Sequence, residues 1–289
     1  MTPPRLSIVI PAHDEGALVA RTLRHALGGA APGEFEVIVV ANGCTDDTAG
    51  HAATAGPGIR VAEIPEASKI AALNAGDALA TALPRVYLDA DVTVDADALR
   101  ALARVLDDAG SPRVAAPALV VDSSRSSFAV RQYQRIWAES DYRRSGHVGS
   151  GIYAVNEAGR ARWGAFPDVI ADDRFVQQRF LPEERITLGD HTFTINAPKD
   201  MKTHIRRATR IEVGNQSLPS TVQVASQDAA GSRYGSLLRR VAKRPSLWFA
   251  LPFYAYGYAV PRLRARRLLN QGLAVGWSRD ASTRTLVDV

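Results

Sequence analysis

The sequence has little sulfur and little lysine. Its 289 residues include one cysteine, Cys44, and two methionines. A single thiol excludes an intrachain disulfide, and such a chain fits a reducing, cytoplasmic setting. Lys69, Lys199, Lys202 and Lys243 are the only lysines, so arginine carries nearly all the positive charge. With so much alanine, that bias matches a GC-rich bacterial genome, which concerns source and not chemistry. The first residues enter a strand-like segment directly, so no signal peptide is expected. Acids are missing from Ala229 to Arg279, a stretch with ten basic residues; with a chain total of +5, the rest is net acidic. This asymmetry points to an anionic partner for the tail, a membrane surface in preference to nucleic acid. Within the tail, Leu247–Val260 is free of charge and rich in aromatics. It falls short of the roughly 20 residues that span a bilayer, and Pro252 interrupts it. Trp248, Tyr254, Tyr256 and Tyr258 suit a membrane interface; the alternative is a buried helix completing the core.

At 46% hydrophobic, the chain can bury a substantial core. Segments at Leu6–Pro11, Phe35–Val40, Ile59–Ile64 and Arg85–Leu88 read as strands, the first of them a buried parallel strand. Segments with helical spacing separate them: Ala17–Leu27 with Asp14 as cap, a helix opening at Thr45–Thr48, and Lys69–Ala80. This alternation predicts an α/β fold, a Rossmann-like, mostly parallel central sheet flanked by helices. Beyond Asp91 the spacing predicts a helix over Asp95–Asp108, a strand over Val114–Val121, a long helix over Ser126–Arg143 and a strand over Ile152–Val155. Short helices follow at Asn156–Trp163 and Asp172–Phe180. Arg185–Leu188 and Thr192–Ala197 read as a strand pair about the turn Gly189-Asp190-His191. The expected division is a domain over 1–211, with halves of about 1–95 and 96–211, a linker or loop over 212–232, and a basic, aromatic helical extension over 233–289.

The fourth strand runs into Asp89-Ala90-Asp91. On an extended strand, residues i and i+2 share a face, so both carboxylates are expected to face one volume at the sheet's carboxyl edge, where open α/β sheets bind ligands. Two carboxylates held together call for a hard divalent cation shared with a polyphosphate. The competing reading is a strand end followed by a helix cap.

Five segments together resemble the family-2 glycosyltransferases of the GT-A fold, over roughly residues 5–210. Ser7–Glu15 resembles the opening "SVIIPAyNE" pattern, and Val39–Thr48 resembles "VVDDGSTDGT". Lys69–Gly76 resembles "KaaALNaG", Leu88–Asp91 the D-x-D motif, and Ile170–Asp173 the catalytic "ED" motif. The resemblance implies transfer of one sugar from a nucleotide-diphosphate sugar to an acceptor hydroxyl, with inversion and with Mg2+ or Mn2+. It implies Asp91 and Asp89 as metal ligands, with Ala90 between them at the nucleotide sugar. Pro11, Ala12 and Glu15 would lie along the nucleoside and Lys69 near the nucleotide. Asn42 falls where the family has an Asp that reads the base; as an amide it can both donate and accept, so uracil is no longer the obvious base. Asp173 maps to the general base, with Asp172 replacing the usual Glu beside it. Gly149-Ser150-Gly151 would let backbone approach donor or acceptor closely. Arg207 and Arg210 are candidates for the diphosphate and His204 for a third metal ligand. The processive Q-x-x-R-W motif is absent, so a non-processive enzyme is expected, acting on a glycan or lipid-linked acceptor. Its expected place is peripheral, on the cytoplasmic face of the cell membrane, through 239–267. Two other readings compete. One is a non-catalytic nucleotide-sugar-binding or membrane-scaffold protein. The other is a sugar-phosphate nucleotidyltransferase, which the acidic turn at Asp14-Glu15 disfavours. The segment Trp277–Arg284 reads as a compact terminal motif without an assigned role.

Overall fold

The computed structural model describes residues 3–108, 110–144, 148–216 and 230–271. In chain order, the elements begin with β1 (Ser7–Ala12), α1 (Gly16–Ala26), β2 (Glu36–Asn42), α2 (Thr48–Ala53), β3 (Ile59–Ile64) and α3 (Lys69–Leu79). Next come β4 (Arg85–Leu88), β5 (Thr93–Val94), α4 (Ala96–Val105), β6 (Val114–Asp122), α5 (Phe128–Trp137) and α6 (Asp141–Arg144). They continue with β7 (Ile152–Val155), α7 (Glu157–Arg160), α8 (Asp172–Gln177), β8 (Arg185–Asn196), α9 (Met201–Gln216), α10 (Ala230–Ala242) and α11 (Leu251–Asn270). The chain divides into two compact units, Met1–Val120 with Val148–Ile195, and Val121–His147 with Asn196–Val289. This partition runs differently from the boundaries read off the sequence, because the second unit draws α5 and α6 from the middle of the chain.

The first unit carries the sheet, ordered β3-β2-β1-β4-β7-β6-β8-β5. Pairing is parallel through β3, β2, β1 and β4 and antiparallel at β4–β7 and β6–β7. The β1 residues and all but the first of β2 are buried, as expected of parallel strands covered on both faces. Ile38 and Val40, two residues apart on β2, meet Ala72 of α3. Gly76 allows this helix to lie close: a Cβ there would come 2.4 Å from Val9 Cγ1. Ser68 caps α3 by accepting the Ala71 N–H at 3.1 Å.

In the second unit α5, α9 and α11 pack on one another. Ile136, Leu237, Val241, Leu247 and Ala250 form a buried cluster. Among the described residues no helix is long and apolar enough to cross a membrane. The aromatic tail divides into a 3-10 turn, Pro245–Ala250, and α11, with Pro252 in its first turn. Part of it is core, since Leu247 and Ala250 are buried. Part faces solvent: Trp248 is 54%, Phe249 64% and Tyr256 53% exposed.

Several local expectations are corrected. The helix expected over Ser126–Arg143 breaks into α5 and α6. The strand pair around Gly189-Asp190-His191 is one continuous twelve-residue strand, β8. Those residues carry turn signals, yet β8 pairs Phe193 and Thr194 with β5, and exposed strand positions accept polar residues. The expected linker begins too early, because α9 extends to Gln216, whose amide donates to Glu212 one turn back at 2.8 Å; α10 starts at Ala230. The rest of that linker and the Trp277–Arg284 motif lie outside the described residues. Asp14 does not cap α1. Glu15 holds the cap position, and Asp14 Oδ1 accepts the N–H groups of Thr45 at 2.6 Å and Asp46 at 3.3 Å.

Candidate active site

The carboxyl ends of β1, β2 and β4 and the amino ends of α3 and α8 belong to the first unit, and they bring most of the candidate residues together. The D-x-D segment is reached differently from the sequence expectation. β4 stops at Leu88, and residues 89–92 form a turn closed by the Val92 N–H donating to Asp89 O at 3.2 Å. Asp89 and Asp91 are therefore not alternate residues on one strand face. The turn is held by tertiary contacts: the buried Thr22 hydroxyl bonds the carbonyls of Ala90 and Val92, both at 2.8 Å, and the Asp89 N–H donates to Gly151 O at 2.8 Å. Asp91 is half-buried in this turn.

Lys69 opens α3 and points its ammonium between two acids. Nζ lies 2.7 Å from Asp89 Oδ1 and 2.9 Å from Asp172 Oδ1. Burial alone would lower the pKa of this ammonium, but the carboxylates of Asp172 and Asp89 outweigh it and hold Lys69 above its ordinary value. The Asp172 side chain is only 5% exposed. Burial raises its pKa; Lys69 opposes this, and Asp173 and Asp89 add to it. Its second oxygen accepts the Tyr153 hydroxyl at 3.2 Å. Asp172 is thus fixed from two sides, whereas Asp173 sits at the helix opening. There Oδ1 accepts the Arg174 N–H at 2.7 Å and Oδ2 the Ser150 N–H at 3.1 Å. Phe175, buried, locks α8 against the rings of Trp163 and Phe166, and this sets the direction of both acids.

Gly149-Ser150-Gly151 links the two halves of this arrangement. All three residues have positive φ, 110°, 60° and 113°, a conformation glycine adopts without steric cost. A Cβ on Gly149 would stand 2.9 Å from Asp173 Oδ2, and one on Gly151 would meet Val92 Cγ2 at 2.6 Å. The glycines therefore admit the two acidic segments themselves, where the sequence reading had them admit a substrate.

Two other candidates sit in buried surroundings. Asn42 is fully buried; its amide donates to Ala12 O at 2.7 Å and Val40 O at 3.4 Å, so it ties β2 to the end of β1. Pro11 and Ala12 are likewise buried along β1, while Glu15 accepts the His13 N–H at 3.3 Å. Among the described residues, the one group of three clustered ligating side chains does not include His204. In the second unit its ring lies 4.1 Å from the Tyr133 ring, with Nε2 3.2 Å from Gly257 O; burial lowers its pKa and keeps it neutral. Arg207 and Arg210 are half-buried on α9 of that unit. Thr22 and Tyr153, which hold the D-x-D turn and Asp172, were not found from the sequence. Each does its work through a contact at least 19 residues away in the chain, and no local pattern marks either.

An α/β sheet with acids gathered at its carboxyl edge defines a GT-A-like architecture. The glycosyl transferase family 2 model matches residues 7–161, and the chain belongs to that family. Among solved structures it resembles the mannosyltransferase PcManGT from Pyrobaculum calidifontis in complex with GDP-Man and Mn2+. Identity is 22%, coverage is 94% of this chain and 80% of that one, and the TM-score is 0.55. It also resembles glucosyl-3-phosphoglycerate synthase from Mycobacterium tuberculosis, in complex with Mn2+, UDP and glucosyl-3-phosphoglycerate. Here identity is 17%, coverage 74% and 81%, and TM-score 0.51. Comparison with curated proteins gave no significant match.

Proposed function

We propose that this chain transfers a single sugar from a nucleotide-diphosphate sugar to an acceptor hydroxyl, with inversion at the anomeric carbon. The observation that carries this reading is the convergence of Asp89 and Asp172 on Lys69, with Asp173 set against Ser150 beside them. An acceptor hydroxyl is a weak nucleophile. Asp173 is assigned as the base that takes its proton as the oxygen attacks the anomeric carbon, while the bond to the diphosphate breaks and the nucleoside diphosphate leaves. Asp172, held by Lys69 and Tyr153, is assigned to positioning, which removes it from the catalytic pair expected from the sequence. Asp89 and Asp91 offer oxygen donors only, a set that fits Mg2+ or Mn2+. When bound there, such a cation would offset the negative charge growing on the departing diphosphate. Pro11, Ala12 and Glu15 form the edge assigned to the nucleoside. The likeness to a fold whose solved members hold GDP-Man or UDP with Mn2+ supports the donor class.

The acceptor is assigned as a glycan or lipid-linked hydroxyl at the cytoplasmic membrane face. Support comes from the second unit, where the Phe128, Phe249 and Phe253 rings cluster at 5.8–6.0 Å. Phe128 is 49% exposed and Phe249 64%. Arg239, Arg240, Lys243 and Arg244 precede this segment, and Arg262 to Arg267 follow it. The test is nucleoside-diphosphate release from a panel of nucleotide sugars with Mn2+. Release by Asp91→Ala equal to wild type would remove the metal assignment. Tight donor binding without release for any acceptor would favour the non-catalytic reading, which Ala41-Asn42 in place of the pattern's Asp-Asp motivates.

A further inference from the structure

At the carboxyl edge of β1 and β2, in the turn whose Pro11, Ala12 and Glu15 are assigned to the nucleoside, lies a second group of ligating side chains to which the sugar-transfer reading gives no role. Among the described residues, His13, Asp14 and Cys44 are the one group of three whose ligand atoms, one from each, lie within 4.8 Å of one another. We infer that these three residues form a binding site for a thiophilic divalent cation, Zn2+ by its chemistry, distinct from the carboxylate pair at Asp89 and Asp91.

Each member is held by outer contacts of the kind metal ligands have. The His13 ring places Nδ1 2.6 Å from the backbone oxygen of Asn42. A carbonyl can only accept, so Nδ1 carries the proton and the lone pair is on Nε2. That nitrogen lies 3.6 Å from Asp14 Oδ2. Asp14 is anchored through its other oxygen, which accepts Thr45 N–H, Thr45 Oγ1–H and Asp46 N–H. The Cys44 sulfur accepts the Asp14 N–H at 3.4 Å and lies 3.6 Å from Ala12 O. The protein thus holds each ligand from a second side, with Nε2 and Oδ2 3.6 Å apart and one ligand atom of each residue within 4.8 Å of the sulfur.

The donor set selects the metal. Thiolate with imidazole favours Zn2+ over Mg2+ or Mn2+, which prefer oxygen. Bonds of about 2.0–2.3 Å around a tetrahedral Zn2+ place its ligand atoms about 3–4 Å apart. With their ligand atoms within 4.8 Å of one another, the three side chains therefore need to draw in by up to about 1–2 Å, which rotation of half-buried side chains can provide. Binding would release the thiol proton to solvent, and three protein ligands leave a fourth position for water. His13, Asp14 and Cys44 are also positions where the chain departs from the patterns it otherwise resembles, which carry an aromatic, an Asn and a Ser there. The inference does not depend on the transfer reaction, so either can fail alone.

The experiment uses the full chain, stripped with EDTA and titrated with Co2+ as a spectroscopic stand-in for Zn2+. Expected is an ultraviolet thiolate-to-cobalt band with intense visible bands of tetrahedral Co2+, both bleached by one equivalent of Zn2+. Cys44→Ser should abolish the ultraviolet band, and Asp91→Ala should keep it. Losing even an outer partner lowers metal affinity by about 10–100-fold; His13→Ala and Asp14→Asn should therefore each weaken Zn2+ binding by at least ~10-fold. Should a variant fail to fold by circular dichroism, alkylation of Cys44 in the folded wild type replaces it. Zn2+ should protect the thiol, and prior alkylation should prevent the cobalt band. No band and no retained Zn2+ on equilibrium dialysis would overturn the assignment. So would a band unchanged in both His13→Ala and Asp14→Asn, which marks an adventitious thiol complex.

Discussion

Lys69 is the residue whose removal tests the site's electrostatics most sharply. It sits 2.7 Å from one carboxylate and 2.9 Å from another, and the second belongs to Asp172, whose side chain is only 5% exposed. At an effective dielectric near 20, a charge pair at that separation attracts by about 6 kcal/mol before desolvation is counted. Asp89 is more exposed, so solvent screens its share. Lys69→Met keeps all but the terminal atom of the side chain and removes the charge, leaving Asp172 buried with the Tyr153 hydroxyl still bonded to it. Breaking one side of a buried pair costs about 3–5 kcal/mol, and that is the expected loss in urea unfolding at neutral pH with an unchanged m-value. The loss should shrink in acid. Without the ammonium, the folded-state pKa of Asp172 rises further above its unfolded value. Stability from such a group is fully present below the unfolded pKa and is lost as pH climbs through the folded one. A second variant, Lys69→Met with Asp172→Asn, should recover most of the loss. If Lys69→Met costs under about 1 kcal/mol, or the cost grows in acid, the description of this pair is wrong.

Other consequences follow from the fold. Gly76→Ala gains about 1 kcal/mol of helix propensity but places a Cβ 2.4 Å from Val9 Cγ1. Overpacking of this kind costs about 1–3 kcal/mol, so chemical denaturation should show a net loss that Val9→Ala in the same chain reverses. The Arg100 guanidinium bonds both oxygens of Glu34 at 2.8 and 2.9 Å and lowers its pKa from 4.5 to about 2, against the effect of burial. A depressed carboxyl gives stability that is present above the unfolded pKa and lost as pH falls toward the folded one, worth at most ~3 kcal/mol. Glu34→Gln should therefore be less stable than wild type at neutral pH, and the gap should close between pH 4.5 and about 2. Vesicles containing phosphatidylglycerol should sediment the protein, and neutral phosphatidylcholine vesicles should not. Each basic residue at an anionic surface contributes about 1 kcal/mol, so added salt should release the protein, and Trp248→Ser with Phe249→Ser should weaken binding in low salt.

The alternation of β1 to β4 with helices was legible because strands covered on both faces read as near-continuous apolar runs, and Ile8–Ala12 and Val37–Ala41 are such runs. Spacing also placed Lys69 at the opening of α3 and Asp172 and Asp173 at the opening of α8. Geometry that depends on distant partners was not legible. The D-x-D is a turn because Thr22 and Gly151 bind its backbone. Asn42 is buried because it ties two strand ends, although its position in the chain matched a nucleotide contact. His204 is a candidate ligand by sequence alone, which does not show Tyr133 and Gly257 closing around it. Gly189 and Asp190 mark a turn by local chemistry, but pairing with β5 keeps β8 extended.

The central claim is that Asp173 removes the acceptor's proton. Its most direct test separates donor binding from turnover in Asp173→Asn, measuring nucleotide-sugar affinity by calorimetry and nucleoside-diphosphate release with Mn2+ in the same preparation. The account predicts unchanged affinity and release slowed by about 10²–10⁴-fold. Release at the wild-type rate, with donor bound equally well, would contradict it.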